Sequence, residues 1–432
     1  MATTGNDSFD FRSVLLSGFL PAALFAIGEG AIIPIIPIAA DSLGASLAFA
    51  GFVASLILVG ELIGDVPSGI VVARIGERNA MIGAALVSVV GLVVATTAAN
   101  AWVLALGVFL VGVSTAVFAL ARHAYMTTAI PLRIRARALS SLGGVFRFGY
   151  FVGPFIAAGV IHLTGTTSSA FWIHVVCCLA AATVLLVLRD PATGTRGLRL
   201  PPRASRHSAD HASDHATEPP ADTGAQFVQQ EAQGLFRTIR ANGAVLLRLG
   251  SGAGLIGAMR AGRQVILPLW AVSVGLDDST AALVIGIAGA VDFALFYTSG
   301  QIMDRWGRLA SALPCMLGLS ISYFLLAWSG HLDARVGWFV AIAMGMSLAN
   351  GVGSGILMTL GADLAPRDAP APFLGAWRFT GDFGSAAAPL LISGVTAVAS
   401  IAVASGVMGV LGLVGAGILL RYVPRYLPRP LR

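Results

Sequence analysis

Long apolar stretches recur along this chain, and most of them run for about 20 residues before a charge interrupts them. A helix of that length rises about 1.5 Å per residue, so it spans about 30 Å, the thickness of the hydrocarbon core of a bilayer. Charged residues make up only 11% of the chain, whereas a soluble domain averages about 25%. The sequence therefore predicts an all-α polytopic membrane protein.

Twelve apolar stretches can be counted, six on each side of a polar middle segment. The first six predicted helices cover residues 14–39, 46–73, 80–98, 103–129, 138–163 and 170–188. The second six cover residues 244–274, 280–303, 309–329, 336–360, 373–397 and 401–420. The segment between them lacks the apolar periodicity of a folded domain. We expect two six-helix bundles, residues 1–188 and 244–432, joined by a cytoplasmic linker at 189–243.

A short polar loop occurs twice, once in each half. The later copy contains Gly300, Asp304, Arg305, Gly307 and Arg308, and the earlier copy contains Gly69, Arg74, Gly76 and Arg78, with Ala73 in place of the acid. The offset of 231 residues between the copies also aligns Pro37 with Pro268, Gly44 with Gly275 and Glu61 with Asp292. Parallel internal repeats recur in transporters. We interpret the chain as a duplication, and each loop as a tight hairpin whose first glycine admits a neighbouring backbone.

Arginines gather at one end of the predicted helices. They follow helices 2, 4, 8, 10 and 12, while the opposite loops carry mainly aspartates. Because cytoplasmic loops retain positive charge, we expect both termini and the linker in the cytoplasm and the chain in the cell (inner) membrane. The net charge of +6 is spread over helix ends and forms no single basic face, so no nucleic-acid partner is predicted.

Metal, cofactor and enzyme sites are not predicted. His207, His211 and His215 have metal-binding spacing, but they lie in the polar linker and are interpreted as part of it. Cys177 and Cys178 lie inside an apolar stretch and are interpreted as buried thiols. The chain has no nucleotide-binding loop, no Gly-x-Ser-x-Gly elbow and no His-Glu-x-x-His motif.

Three motifs in order resemble those of the major facilitator superfamily, and the resemblance covers nearly the whole chain. They are Gly28 followed by Pro34-Ile35-Ile36-Pro37 in helix 1, Gly149-Tyr150-Phe151-Val152-Gly153-Pro154 in helix 5, and the repeated loop. The first two resemble motifs of the twelve-helix drug:proton antiporter branch. The resemblance implies two pseudo-symmetric bundles that move by alternating access, driven by the proton gradient. Pro34, Pro37, Pro154 and Pro268 are expected to bend their helices.

Two departures from the family pattern bear on this expectation. Ala73 removes the acid of the first loop, so any charge-dependent latch there must use other groups or Asp304. In helix 4 the position of the family's arginine linked to proton transfer is Val108. Proton coupling is therefore less firmly implied than the fold.

Ionisable residues occur inside the predicted helices, where a charge costs at least about 2.5 to 3.5 kcal/mol and should face a partner or an aqueous cavity. They are Glu29, Glu61, Asp65, Arg122, Arg147, Arg260, Arg263, Asp292, Arg378 and Asp382. Arg122 lies near a helix end and is interpreted as reaching lipid headgroups. The candidate substrate and proton residues are Glu29, Glu61, Asp65, Arg260, Arg263 and Asp292, and the candidates for gate or inter-bundle ion pairs are Arg147, Arg378 and Asp382.

Glu29 and Arg260 occupy equivalent positions on helices 1 and 7, which face each other across the cavity in the resembled fold. Removal from water favours a protonated carboxylate, whereas a bound cation favours the ionised form. Glu29 is therefore the first candidate for a proton or cation site, and a static Glu29–Arg260 ion pair is the structural alternative.

Asp65, Arg147 and Arg378 lie at one depth, about 14 to 17 Å from the cytoplasmic rim at the rise of a helix. We expect bridges between the halves that rearrange during transport, Arg378 with Asp65 or Glu61 and Arg147 with Asp292. Alternatively, Asp382 holds Arg378 within helix 11.

The predicted function is proton-coupled export of small amphiphilic or cationic compounds by a monomeric transporter that needs no cofactor. A facilitator or porter of an anionic metabolite is the first alternative, because the embedded arginines suit a carboxylate or phosphate. A transport-inactive scaffold or receptor, binding through the linker, is the alternative of another class.

Overall fold

The structure, a computed structural model, describes residues 15–129, 132–188, 240, 242–365 and 370–427. Nearly all of the predicted linker, with its three histidines, and the two chain ends lie outside the described residues. The expectations for those segments stay predictions.

Twelve transmembrane elements are found in the described residues. In the first half these are α1 (Leu20–Ile32, continued by Ile36–Ser42), α2 (Leu47–Ile75), α3 (Glu77–Thr96), α4 (Ala101–Ala129), α5 (Leu132–Thr164) and α6 (Ser169–Val187). In the second half they are α7 (Ser251–Ser273), α8 (Asp278–Trp306), α9 (Arg308–Ser329), α10 (Arg335–Val352, continued by Ile356–Leu364), α11 (Pro370–Val398) and α12 (Ile401–Tyr426). Eleven spans are long and apolar enough to cross a bilayer, and bent α1 makes the twelfth. The predicted fold class is confirmed.

The backbone repeats at the predicted offset. Gly44 and Gly275 both have a positive φ, 80° and 70°, in the turns that precede α2 and α8. The side chains of Ser46 and Asp277, again 231 residues apart, cap those helices by accepting the amides of Phe49 at 3.2 Å and Thr280 at 3.1 Å. The two halves therefore start their second helices in the same way.

Two membrane helices are broken near their middle. The two segments of α1 meet at an angle of 40° beside Pro34, as predicted. Pro154 and Pro268 lie inside continuous helices, and the bends expected at them stay predictions. The second break is at Gly353–Gly355 in α10, where the sequence predicts one uninterrupted helix. Irregular backbone at membrane depth is tolerated where it lines a cavity or is buried in protein.

Glycines bring α1 and α5 into close contact. A Cβ atom at Gly149 would lie 2.5 Å from Ala26, one at Gly153 would lie 2.4 Å from the Ala31 nitrogen, and one at Gly30 would lie 2.7 Å from the Gly149 carbonyl oxygen. Only glycine permits this approach. The contact places Tyr150, the residue after Gly149, opposite Glu29.

The halves meet along α2 with α11 and α5 with α8, as predicted. At the end bearing the turn before α8, Thr167 Oγ1 donates to Asp278 at 2.5 Å and Ser393 Oγ donates to the Ala48 carbonyl at 2.7 Å. At the opposite end, which carries both loop motifs, Asp65 and Arg378 are exposed, yet their charges interact across the gap. The interior is therefore closed at the first end and open towards the loop motifs.

Candidate functional site

A cavity of about 170 Å³ lies where the two halves meet. It is bounded by α1 and α5 of the first half and by α7, α8 and α10 of the second. The polar and aromatic residues that line it are Arg147, Tyr150, Phe151, Arg260, Arg263, Gln264, Asp292, Phe293 and Asn350. Predicted residues from both halves thus converge on one space, which we call the central cavity.

The break in α10 binds one arginine from each half. Arg147 of α5 donates to the Ser354 hydroxyl at 2.5 Å and to its carbonyl at 2.9 Å, and Arg260 of α7 donates to the Gly353 carbonyl at 2.5 Å. Cys315 packs directly behind the break. A Cβ atom at Gly353 would lie only 2.4 Å from the Cys315 sulfur. The Gly353 carbonyl also accepts the Ile356 amide at 3.1 Å. Backbone carbonyls at the break therefore hold two guanidinium groups beside the central cavity.

Asp292 pairs within its own half, not across the interface. Its Oδ2 lies 3.3 Å from Arg263 and accepts the Asn350 side-chain amide at 2.7 Å, while Arg263 also donates to Ser347 at 2.7 Å. The predicted Arg147–Asp292 bridge is wrong, because Arg263 and Asn350 occupy the carboxylate and Arg147 instead binds the α10 break. Arg147 joins the halves by hydrogen bonds to neutral acceptors.

The charge of the central cavity is unbalanced. Three arginines and one aspartate line it, and the aspartate is paired with Arg263. Among the described residues, neither Arg147 nor Arg260 has a carboxylate within ion-pair distance. The Nε atom of Arg260 is buried and lacks a hydrogen-bond partner in the same part of the chain. The cavity wall therefore carries positive charge that no described acid neutralises.

Aromatic rings form another part of the wall. Phe151 of α5 and Phe293 of α8 stack across the interface with centroids 5.6 Å apart and an interplanar angle of 9°. Offset stacks of this kind offer apolar surface to a ligand while they hold two helices together. The cavity thus combines a basic side with an aromatic side.

Glu29 lies behind the cavity wall, not on it. It is 1% exposed, and one carboxylate oxygen accepts the Tyr150 hydroxyl at 3.1 Å. The cation within electrostatic range is Arg122 of α4, and the Thr115 hydroxyl faces the same carboxylate. The Glu29–Arg260 alternative is therefore wrong, because the α1–α5 contact turns Glu29 into the interior of the first half. It reaches the cavity only through Tyr150.

Arg122 is buried, at 7% exposure, and lies 3.8 Å from the centre of the Phe146 ring. The interpretation that it reaches headgroups is wrong. Its charge is instead compensated by Glu29 in the protein interior. A cation on α4 is thus present near helix 1, although Val108 occupies the position where the family pattern places it.

Glu61 lines a second cavity of about 60 Å³ beside the first. The predicted bridges from Arg378 to Glu61 or Asp65 are not formed between these described residues. Arg378 pairs at 3.3 Å with Asp382, four residues along α11, as the alternative predicts. That pair is 68% and 43% exposed and shares the open vestibule with Asp65, because the halves are apart at this end.

The loop motifs turn at Gly76 and Gly307, whose φ values are 80° and 89°. The expected close backbone approach at Gly300 is wrong among the described residues, since a Cβ atom there would meet open space. Gly69 lies within α2 and Arg74 in its last turn, and Arg305 lies 5.3 Å from the ring centre of Trp306.

The two loops make different contacts. Arg308 pairs with Asp304 at 3.2 Å and with Asp363, at the end of α10, at 2.7 Å. Arg78 donates from Nε to the Leu185 carbonyl at 2.8 Å and also binds the Leu188 carbonyl, at the end of α6. Carbonyls at a helix C-terminus attract cations. In the first half, where Ala73 offers no carboxylate, Arg78 thus binds the end of α6.

Several lining residues were not singled out from the sequence. Asn350, Gly353 and Ser354 belong to a run, Asn350 to Gly355, that contains three glycines inside an apolar stretch. Such a run is a signal for a broken helix. Tyr150 lies within the helix 5 motif, but a motif match does not indicate which residue binds Glu29.

The sequence profile of the Major Facilitator Superfamily matches residues 18–389. The chain belongs to this superfamily. It is a multi-pass membrane protein of the superfamily. Two curated proteins of Mycobacterium tuberculosis, both uncharacterised MFS-type transporters, are 28% identical over 191 residues. That match covers 44% of this chain and 26% of each relative, so this chain corresponds to about a quarter of their length.

Solved superfamily structures share the fold at low identity. A POT family transporter in complex with 5-aminolevulinic acid is 12% identical, with a TM-score of 0.74 and coverage of 96% of this chain and 97% of that one. The xylose transporter XylE of E. coli, partially occluded and inward open, is 16% identical, with a TM-score of 0.66 and coverage of 96% and 99%. The human organic anion transporter MFSD10 is 15% identical, with a TM-score of 0.62 and coverage of 94% and 99%. At these identities the likeness concerns the fold alone.

Proposed function

We propose that this superfamily member transports small organic anions with an apolar part, by alternating access around the central cavity. The observation that carries the proposal is the excess of arginine over carboxylate in the cavity wall. Guanidinium groups bind carboxylates and phosphates through charge-assisted hydrogen bonds, which are stronger than neutral ones. This is the alternative that the sequence raised, and the geometry favours it over a cationic substrate.

Each half would contribute one anion-binding group. Arg147 and Arg260 are held by neutral carbonyls and a hydroxyl, so an entering anion would not have to displace a carboxylate from either. The stacked Phe151 and Phe293 would contact the apolar part of the substrate. With the orientation expected from the arginine counts, the open end faces the cytoplasm.

Alternating access requires contacts that can break. In the described residues, two hydrogen bonds join the halves at the closed end, one on the Asp278 carboxylate and one on the Ala48 carbonyl. A neutral hydrogen bond contributes about 0.5 to 1.5 kcal/mol net and one to a charged group about 1.5 to 3 kcal/mol, so these bonds can separate in each cycle. Arg147 would have to release Ser354 when the halves rock.

The test is a ligand screen followed by transport. Small carboxylates, organic phosphates and lipophilic cations are added to the purified protein in detergent, and thermal stabilisation is measured. The proposal predicts stabilisation by anions that is lost in Arg260→Ala and retained in Arg335→Ala, a control at the exposed start of α10. Labelled anions that stabilise the protein should then exchange across proteoliposome membranes. Stabilisation by cations alone would refute the proposal.

Proton-coupled export of amphiphilic cations, the antiporter function expected from the motifs, is the second candidate. Glu29, buried and bonded to cavity-lining Tyr150, favours it, because such a carboxylate could exchange a proton when a ligand enters. This candidate predicts that an imposed pH gradient drives a lipophilic cation across proteoliposomes and that Glu29→Gln abolishes the movement. Cation transport that is insensitive to Glu29→Gln would remove this candidate.

A further inference from the structure

The second cavity continues the central cavity towards α2. Both are lined by Ile33, Tyr150 and Gln264, so they adjoin. The second cavity adds Glu61, with aliphatic side chains of α1 and α2 around it. The two adjoining spaces together form one site, with arginines lining the first and a carboxylate lining the second.

The Glu61 carboxylate is open to a ligand. It makes no hydrogen bond and no ion pair with any residue that the structure describes, although it lies half-buried in the membrane-spanning part of α2. The charges within electrostatic range are mainly acidic, those of Glu29, Asp65 and Asp382, with Arg378 opposing them. An embedded carboxylate without a protein partner marks a candidate binding site, and a cationic group of a ligand would stabilise its ionised form.

Two neutral acceptors surround the same space. The Tyr150 hydroxyl uses its hydrogen to bond Glu29, so its oxygen can still accept a hydrogen bond. The side chain of Gln264 is exposed and borders both cavities, and its amide oxygen is a further acceptor. An ammonium group has three donors. Glu61, Tyr150 and Gln264 can together satisfy all three.

We propose that the substrate of the central cavity is a small zwitterion, with its carboxylate against Arg260 and Arg147 and its ammonium against Glu61, Tyr150 and Gln264. This rests on the proposed transport of organic anions and narrows it to amino-acid-like compounds. A simple anion would leave Glu61 without a counter-charge, and a simple cation would leave both arginines without one. A zwitterion compensates both ends of the site.

The test compares three matched probe series on the purified protein. Each series has a zwitterion, the same skeleton without the amine, and the same skeleton without the carboxylate. The first series is phenylalanine, 3-phenylpropionate and phenethylamine. The second and third series replace the benzyl group of these compounds with an indolylmethyl group and with an isobutyl group. Dissociation constants are measured by calorimetry for wild type, Glu61→Gln, Glu61→Asp and Asp333→Asn. Asp333 lies in an exposed turn and controls for the removal of an acidic charge.

In at least one series, wild type should bind the zwitterion about tenfold or more tightly than either single-charge analogue. Glu61→Gln should bind the zwitterion and the anion with equal affinity. Its affinity for the anion should be the same as that of wild type, and this result also shows that the variant is folded. Glu61→Asp should recover part of the preference, and Asp333→Asn should match wild type.

Other outcomes overturn the inference in distinguishable ways. Equal binding of anion and zwitterion by wild type and Glu61→Gln would refute the zwitterion and leave the anion proposal intact. Preference for the amine, independent of Arg260, would refute both and favour the cation exporter. Failure of all three zwitterions to bind also refutes the inference.

Discussion

Asp292→Asn offers a direct test of how the cavity charges are compensated. The substitution keeps the shape of the side chain but leaves Arg263, which is 12% exposed, without its carboxylate at 3.3 Å. Removing one partner of a fully buried pair costs about 3 to 5 kcal/mol. Because this pair borders a cavity and Asp292 is itself 15% exposed, we expect a loss of about 2 to 3 kcal/mol.

The chain contains a matched control. Asp304→Asn removes an aspartate that lies 3.2 Å from Arg308, but Asp304 is 82% exposed. An exposed pair four residues apart on a helix is worth about 0.3 to 0.5 kcal/mol, so this variant should be nearly as stable as wild type. The two variants make the same chemical change at nearly the same distance. They differ in burial, and Arg308 also keeps a second carboxylate, that of Asp363 at 2.7 Å.

Reversible unfolding in mixed SDS micelles measures the difference in free energy. A double-mutant cycle with Arg263→Gln should give a coupling of about 2 kcal/mol, and the double variant should be more stable than Asp292→Asn alone. Equal unfolding free energies for Asp292→Asn and Asp304→Asn, or a coupling near zero, would refute the argument that Arg263 depends on Asp292.

Three further predictions concern the broken helix, the Glu29 contact and the closed end. Gly353→Ala places a methyl group 2.4 Å from the Cys315 sulfur. This variant should lower the free energy of unfolding by about 1 to 3 kcal/mol. Adding Cys315→Ala to the same chain should restore most of the lost stability, which unfolding in SDS would measure. Tyr150→Phe removes the only hydroxyl bonded to Glu29 in the described residues, and we expect it to lower the free energy of unfolding by about 1 to 3 kcal/mol. The control Tyr297→Phe, at a residue that is 76% exposed, should leave stability unchanged. Equal effects of the two variants would contradict the assignment of the Tyr150 contact. Thr167→Val removes the hydrogen bond to the Asp278 carboxylate. It should favour separation of the closed end and increase the labelling rate of a cysteine introduced at Ala48 about 10- to 150-fold, for the roughly 1.5 to 3 kcal/mol that a hydrogen bond to a charged group contributes. An unchanged rate would contradict the role given to that contact.

The positions of the charged residues in the chain were a good guide to the cavity and a poor guide to the pairs within it. Arg147, Arg260, Arg263 and Asp292 were predicted to face a shared space, and all of them line the central cavity. The predicted pairs Arg147–Asp292 and Glu29–Arg260 are wrong, because Arg147 and Arg260 bind the α10 break instead, whereas the alternative Arg378–Asp382 pair within α11 is confirmed. Counting residues from a helix end places charged residues at the same depth in the membrane. The count does not indicate which helices face each other.

The amino-acid sequence by itself determined the twelve apolar spans, the repeat at a constant offset and the residues that cannot face lipid. These follow from local physics: the length needed to cross hydrocarbon, the positive φ that Gly76 and Gly307 supply, and the cost of a charge in the membrane. Only the tertiary structure decided that α10 breaks at Gly353 and that Glu29 turns behind Tyr150. Both depend on contacts between residues far apart in the chain, Cys315 and Arg260 at Gly353 and the α1–α5 glycines beside Glu29, and such contacts form only when the helices pack.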